Sequence, residues 1–118
     1  MKIFVLLAVA VATVTTAAPA QATGGLNCRT AGATPIEVNL VIGHVPGSPL
    51  AGVRLLHAGR NVPASASQWW LDESEVRLLL VAPSHDRELV LRARRNGQFY
   101  DGSLWRGGKR HWVRCREG

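Results

Sequence analysis

The residues able to do chemistry gather in the last third of the chain, where tryptophan, arginine and scattered acids alternate. Residues 85–118 hold nine Lys or Arg against four acids, with Trp105 and Trp112 among them. Guanidinium grips phosphate and carboxylate through paired hydrogen bonds, and indole stacks on flat rings such as bases and sugars. Both side chains dominate binding hot spots once a partner covers them. The whole chain carries a formal net charge of +6. Such a balance argues about partners and solubility, and says nothing of fold.

Catalytic groupings are weaker. Ser84-His85-Asp86 holds the residue types of a hydrolase triad, but a triad needs side chains converging from separate segments. Here the trio reads as a turn, where Ser and Asp are favoured for their backbone hydrogen bonds. No G-x-S-x-G elbow is present, and Gly102-Ser103 falls inside a strand. His44, His57, His85 and His111 stand singly, without H-x-H or H-E-x-x-H spacing, whereas a closed zinc site needs four ligands. Among Glu37, Asp72, Glu73, Glu75, Glu88 and Asp101, no spacing favours a glycosidase pair. Gly107-Gly108-Lys109 reads as a hairpin tip and not as a phosphate loop. The expectation is a non-enzyme without metal or cofactor.

The N-terminus sets the compartment. Lys2, an apolar run over 3–14 broken only by Thr13, and Ala20-Gln21-Ala22 form the three parts of a secretory signal peptide. The run is shorter than the ~20 residues a spanning helix needs. Residues 1–22 are therefore expected to be removed, leaving 23–118 as one periplasmic or secreted domain with a net charge of +5. In an oxidising compartment, two cysteines with no third predict a disulfide, Cys28–Cys115. A lipoprotein reading of Cys28 fits poorly, because Gly25-Leu26-Asn27 is not a lipidation box and Cys115 would be left alone.

Those side chains must be positioned by strands, since no window shows a helical period. Apolar–polar alternation predicts a strand over 36–42, with further strands over 53–58, 68–71 and 75–82. Residues 23–35 read as an arm tied down by Cys28. Pro46-Gly47-Ser48-Pro49 reads as a turn, and 62–67 is ambiguous because Pro63 weakens any strand there. Trp69 and Trp70 should point to opposite faces. The expected fold is all-β, a small antiparallel barrel or sandwich of about six to eight strands.

A three-strand meander over 88–95, 98–106 and 109–116 closes it. Asn96-Gly97 is a strong two-residue hairpin signal, and Gly107-Gly108 offers the same positive-φ freedom. Counting outward from both turns sets Ala93 opposite Tyr100, Leu91 opposite Gly102 and Leu89 opposite Leu104, then Leu104 opposite His111 and Tyr100 opposite Cys115. One face is then apolar: Leu89, Leu91, Ala93, Tyr100, Gly102, Leu104, Val113 and Cys115, with His111 toward its end. The other face places Asp101 between Arg92 and Arg114, Val90 beside Ser103 and Trp112, Glu88 beside Trp105 and Arg110, and Arg94 opposite Phe99. The candidate binding residues are Arg92, Arg94, Phe99, Trp105, Arg110, Trp112 and Arg114. Three dispositions of this face remain open: exposed, turned into a second core, or covered by 46–49 or the Trp69-Trp70 segment.

The functional expectation is a non-catalytic exported protein that binds an anionic polymer or glycan of the envelope. The alternative is an inhibitor, immunity or assembly factor recognising an exported acidic protein. Nucleic acid suits the side chains, but export argues against it as the natural partner. In layout the chain resembles the small periplasmic lysozyme inhibitors, which are exported, β-rich and disulfide-bonded, the likeness resting on Ser65-Ala66-Ser67 and the terminal cysteine. Their S-G-x-x-Y signature is missing and a basic protein suits a basic lysozyme badly, so membership is not assigned.

Overall fold

The computed structural model describes residues 24–43 and 50–118, so the expected leader and the expected turn at 46–49 lie outside the described residues. Nine strands run in chain order as β1 (Gly24–Thr30), β2 (Ile36–Ile42), β3 (Leu50–His57), β4 (Arg60–Val62), β5 (Ser65–Leu71), β6 (Glu75–Val81), β7 (Arg87–Asn96), β8 (Phe99–Arg106) and β9 (Lys109–Glu117). All neighbours are antiparallel in one sheet of order β4-β3-β2-β1-β9-β8-β7-β6-β5. Among the described residues no helix is long and apolar enough to cross a membrane.

The connectivity forces this sheet to curl. Eight strand spacings would hold the edges of a flat nine-stranded sheet about 38 Å apart. Yet the two edges, β4 and β5, are joined by Pro63-Ala64 alone, a link that spans at most about 11 Å. Antiparallel pairing all the way round leaves β4 and β5 running in the same direction. They are two parts of one bent path: the first three residues pair with β3 and the last seven with β6. Pro63, which has no N–H to donate, sits where pairing transfers from one neighbour to the other. The result is a half-barrel, held together at the Pro63 end and open along a seam between the unpaired stretch of β3 and β5. Leu50 and Val53 of β3 and Ala66, Trp69 and Leu71 of β5 pack against the core but remain only partly buried.

The concave side is the core. Leu40, Leu55, Leu80, Leu89, Leu91 and Leu104 are all fully buried there. All eight residues of the expected apolar face of the meander, and His111 at its end, point inward, Gly102 and His111 being the least enclosed. Thr30 is the buried polar exception on this side, and its hydroxyl accepts a 2.9 Å bond from the Ile36 backbone N–H. At one mouth the Tyr100 hydroxyl donates to the Asp72 carbonyl at 3.0 Å, tying the β5–β6 turn to the core. Toward the other end Arg106 lies between Glu88, at 2.9 Å, and Nδ1 of His57.

Four expectations change. Residues 24–30 are not an arm held by Cys28 alone but an inner strand, because Leu26, Cys28 and Thr30 alternate inward against outward Asn27 and Arg29. Residues 60–62 and 65–71 are strands despite Pro63, which brings the count to nine. The first closing hairpin turns over Gly97-Gln98, with Asn96 paired to Phe99, and not over Asn96-Gly97. Only Gly97 has positive φ there (67°), the pattern of a type II′ turn with glycine first. The displacement slides the β7–β8 register by two residues, so Ala93 faces Gly102 and Leu91 faces Leu104. A slide of two leaves every side chain on its expected face. The Gly107-Gly108 turn and the β8–β9 register stand as expected.

Candidate functional site

The disulfide is present: Cys28 and Cys115 oppose one another across β1 and β9 and are bonded. Both cysteines are fully buried on the concave side, and the bond ties β1 to β9 behind the outer, convex face. Because the described residues make one curled sheet, the Trp/Arg face has no second sheet among them to pack against. Trp112 is 55% exposed and Trp105 37%, so neither the second-core arrangement nor cover by Trp69-Trp70 holds. The 46–49 turn, the other expected cover, is outside the described residues.

Strand register sorts the outward side chains into rows. One row runs Glu75, Arg94, Asp101, Arg114, Arg29 and Glu37 across six strands. Asp101 therefore lies between Arg94 and Arg114, not between Arg92 and Arg114; the two-residue slide accounts for the change. Arg114 takes both carboxylate oxygens of Asp101, Nε to Oδ1 at 2.7 Å and NH2 to Oδ2 at 2.9 Å, while Asn96 donates to Oδ2 at 2.7 Å. The Arg114 guanidinium also lies 4.3 Å from the Phe99 ring and 5.4 Å from the Trp112 ring, and Arg116 lies 5.4 Å from the same Phe99 ring. This centre is prebuilt, with its one acid fully engaged.

The next row is Trp70, Arg77, Arg92, Ser103 and Trp112. Arg92 faces Ser103 instead of Asp101, and Ser103 accepts a 2.8 Å bond from Arg110 Nε. Beyond it stand Gln68, Leu79, Val90, Trp105 and Arg110, so Val90 neighbours Trp105 and not Ser103. Arg94 faces Asp101, leaving Asn96 opposite Phe99. All seven expected binding residues are on this one face; Arg92, Arg94, Arg110 and Trp112 are exposed, while Phe99 and Arg114 are half-buried.

Compared with family models, curated proteins and solved structures, the chain matches none. The site must be read from its own chemistry.

Trp70 and Arg77 belong to the same face and were not among the expected residues. Trp70 is 50% exposed, its indole N–H donates to Asp72 Oδ2 at 2.7 Å, and Arg77 lies 5.7 Å from its ring. Trp70 meets Arg77 because four residues, 72–75, separate the paired Leu71 and Val76; counting across a three-residue turn at 72–74 would set Trp70 opposite Val76, so the sequence gives no register that finds them. Ser84-His85-Asp86 is indeed a turn: the Ser84 hydroxyl donates to Asp86 at 3.0 Å, and the His85 N–H to the Ala82 carbonyl at 2.7 Å.

Two carboxylates on or beside this face are held near pKa 2. For Asp101 the Arg114 hydrogen bonds are the main cause, with Asn96 adding to them against the opposing effect of burial. For Asp72 the cause is the Trp70 indole N–H, followed by the N–H and hydroxyl of Ser74 and the N–H of Glu75. A carboxylate with a folded pKa below its unfolded value stabilises the fold above the unfolded pKa, and that contribution fades as pH falls through the folded one. Tm should therefore hold steady down to about pH 4 and fall between about pH 4 and pH 2. Thermal melts of Asp101→Asn across this range should show a shallower fall than the parent; parallel curves would contradict the assignment.

Proposed function

We propose that the protein is a non-catalytic binding module of the envelope or secretome, which holds an anionic or glycan polymer against the outer face of β5–β9. The observation that carries this reading is the exposure of three tryptophans, Trp70, Trp105 and Trp112, on one convex surface interleaved with arginines. Sheet pairing gains only about 0.2–1 kcal/mol from such cross-strand neighbours, far less than exposing three large indoles would require. Among the described residues, Arg92, Arg94, Arg110 and Arg116 enter none of the ion pairs that occupy Arg29, Arg77, Arg95, Arg106 and Arg114. Their charge is available to an anion. Export, predicted from the leader, and the disulfide both support a partner outside the cytoplasm.

The second reading, recognition of one acidic exported protein, uses the same hot-spot side chains. Salt separates the two. Polymer binding should weaken steeply between about 50 and about 300 mM salt and extend to several polyanions, whereas a shape-fitted protein contact should survive. The test is binding of mature protein to immobilised envelope polysaccharide. Trp112→Ala with Arg94→Ala should cost about tenfold or more in affinity while moving Tm by no more than a few degrees, since neither side chain is buried. Unchanged affinity, or a collapse of Tm, would refute the reading.

A further inference from the structure

The outer face is not uniform, and its least expected part is a depression on β5–β8. Two adjoining hollows, of about 450 and about 560 Å³, share Arg87, Val90 and Arg92 as a common divide. Trp70 bounds one side and Trp105 the other. Three strand spacings separate them, about 14 Å along the sheet. Leu79 and Val90 form an aliphatic patch between the indoles.

Two β-bulges aim the side chains into this depression. On β7 the pairing passes from Leu80–Leu89 to Val81–Arg87, so Glu88 is the extra residue and Arg87 stands opposite an outward valine. Without that bulge Arg87 would point into the barrel. On β5 Ser67 is the extra residue, and the shift sends Gln68 and Trp70 outward. Bulges are a standard means of re-aiming a side chain. The Trp70 indole is fixed in advance by Asp72.

The electrostatics are one-sided. Among the described residues Glu88 is the single carboxylate lining either hollow, and Arg106 engages it at 2.9 Å. Among the described residues neither Arg87 nor Arg92 forms an ion pair. Two uncommitted guanidinium groups thus overlook an apolar floor between two indoles.

Building on the proposed binding role, we infer that this depression is the subsite for an acidic polysaccharide: sugar rings pack their C–H faces on Trp70, Leu79, Val90 and Trp105, while Arg87 and Arg92 bind the carboxylate or phosphate substituents. A single-stranded nucleic acid fits less well. It needs aromatic platforms under successive bases, and the surface between the two indoles is aliphatic.

The test is calorimetric titration of mature protein with a purified oligogalacturonate, with a neutral malto-oligosaccharide and an oligothymidylate of matched length as comparators. Trp70→Ala and Arg87→Ala should each weaken oligogalacturonate binding about tenfold. Arg54→Ala, an exposed outward charge on β3, should cost less than about threefold. The malto-oligosaccharide should bind much more weakly than the acidic sugar. Equal effects of Arg87→Ala and Arg54→Ala would mean diffuse charge attraction and overturn the subsite. So would tighter binding of oligothymidylate that depends on Trp70. If Trp112→Ala with Arg94→Ala abolishes binding while Trp70→Ala does nothing, the subsite fails but the wider face reading stands. If no acidic polymer binds at all, both fail.

Discussion

Gly102→Ala is expected to lower stability by about 3 kcal/mol or more, which for a domain of this size moves Tm down by roughly 15 °C. Gly102 lies on the concave side of β8, opposite Ala93. A Cβ built there would stand 2.6 Å from the Ala93 Cα and would collide with the Arg92 carbonyl oxygen. Both are backbone atoms of the neighbouring strand, so relief requires moving a ladder and not a side-chain tip. Gly102 does not have positive φ; the glycine is required for space alone. Gly52→Ala is the matched control. Its added Cβ would come no closer than 3.9 Å to another atom, the Val41 Cβ, and removing a strand glycine should be neutral or slightly favourable. Two denaturant titrations compare them. Equal midpoints would show that β7 and β8 do not approach so closely.

The close approach at Gly102 also serves the outer face. Asp101 and Ser103 flank it in sequence and point outward, so the separation of β7 and β8 at this point sets how Arg94 meets Asp101 and how Arg92 meets Ser103. A Gly102 variant that still folds should therefore disturb the Arg94–Asp101–Arg114 row along with the core.

How much of this was legible before the fold depends on parity. A strand has a side-chain period of two, so Leu89, Leu91, Ala93, Tyr100 and Leu104 share a face for any hairpin register that is wrong by an even number. That is why the inward and outward sets of the meander survive the Asn96-Gly97 error, while the specific neighbours of Arg92, Arg94 and Asp101 do not. Sequence shows that Gly97 permits a tight turn, but not whether glycine occupies its first or second central position. Trp105 and Trp112 were legible because they flank Gly107-Gly108, where both glycines have positive φ (62° and 74°) and only one two-residue loop fits. Trp70 was not. Its facing depends on the extra residue Ser67 and on the turn that Asp72 organises through Ser74 and Glu75. Arg87 was hidden for the same reason, since a bulge at Glu88 reverses its direction. The strand at 24–30 was obscured by Gly24 and Gly25, though Leu26, Cys28 and Thr30 carry the inward alternation.

The second large effect should follow loss of the disulfide. Cys28→Ala with Cys115→Ala is expected to cost about 3–5 kcal/mol, from the denatured-chain entropy of a loop whose ends lie 87 residues apart. Alanine is preferred to serine because both positions are fully buried, and a hydroxyl there would add the cost of an unpaired polar group. The location makes the effect more than an entropic increment. β1 and β9 are the pair that joins the two ends of the chain into one sheet, and without a covalent tie the free chain gains nothing from them until nearly its whole length is ordered. Hydrogen exchange should consequently speed up first in β1 and β9 of the reduced protein, with β6–β8 less affected. Trp112, Arg114 and Arg29 stand on these two strands, so the proposed polymer binding should weaken under reductant at temperatures where the rest of the fold survives. Identical Tm and identical affinity with and without reductant would show that backbone pairing alone holds the strands together, and would remove the disulfide as support for a working life in an oxidising compartment.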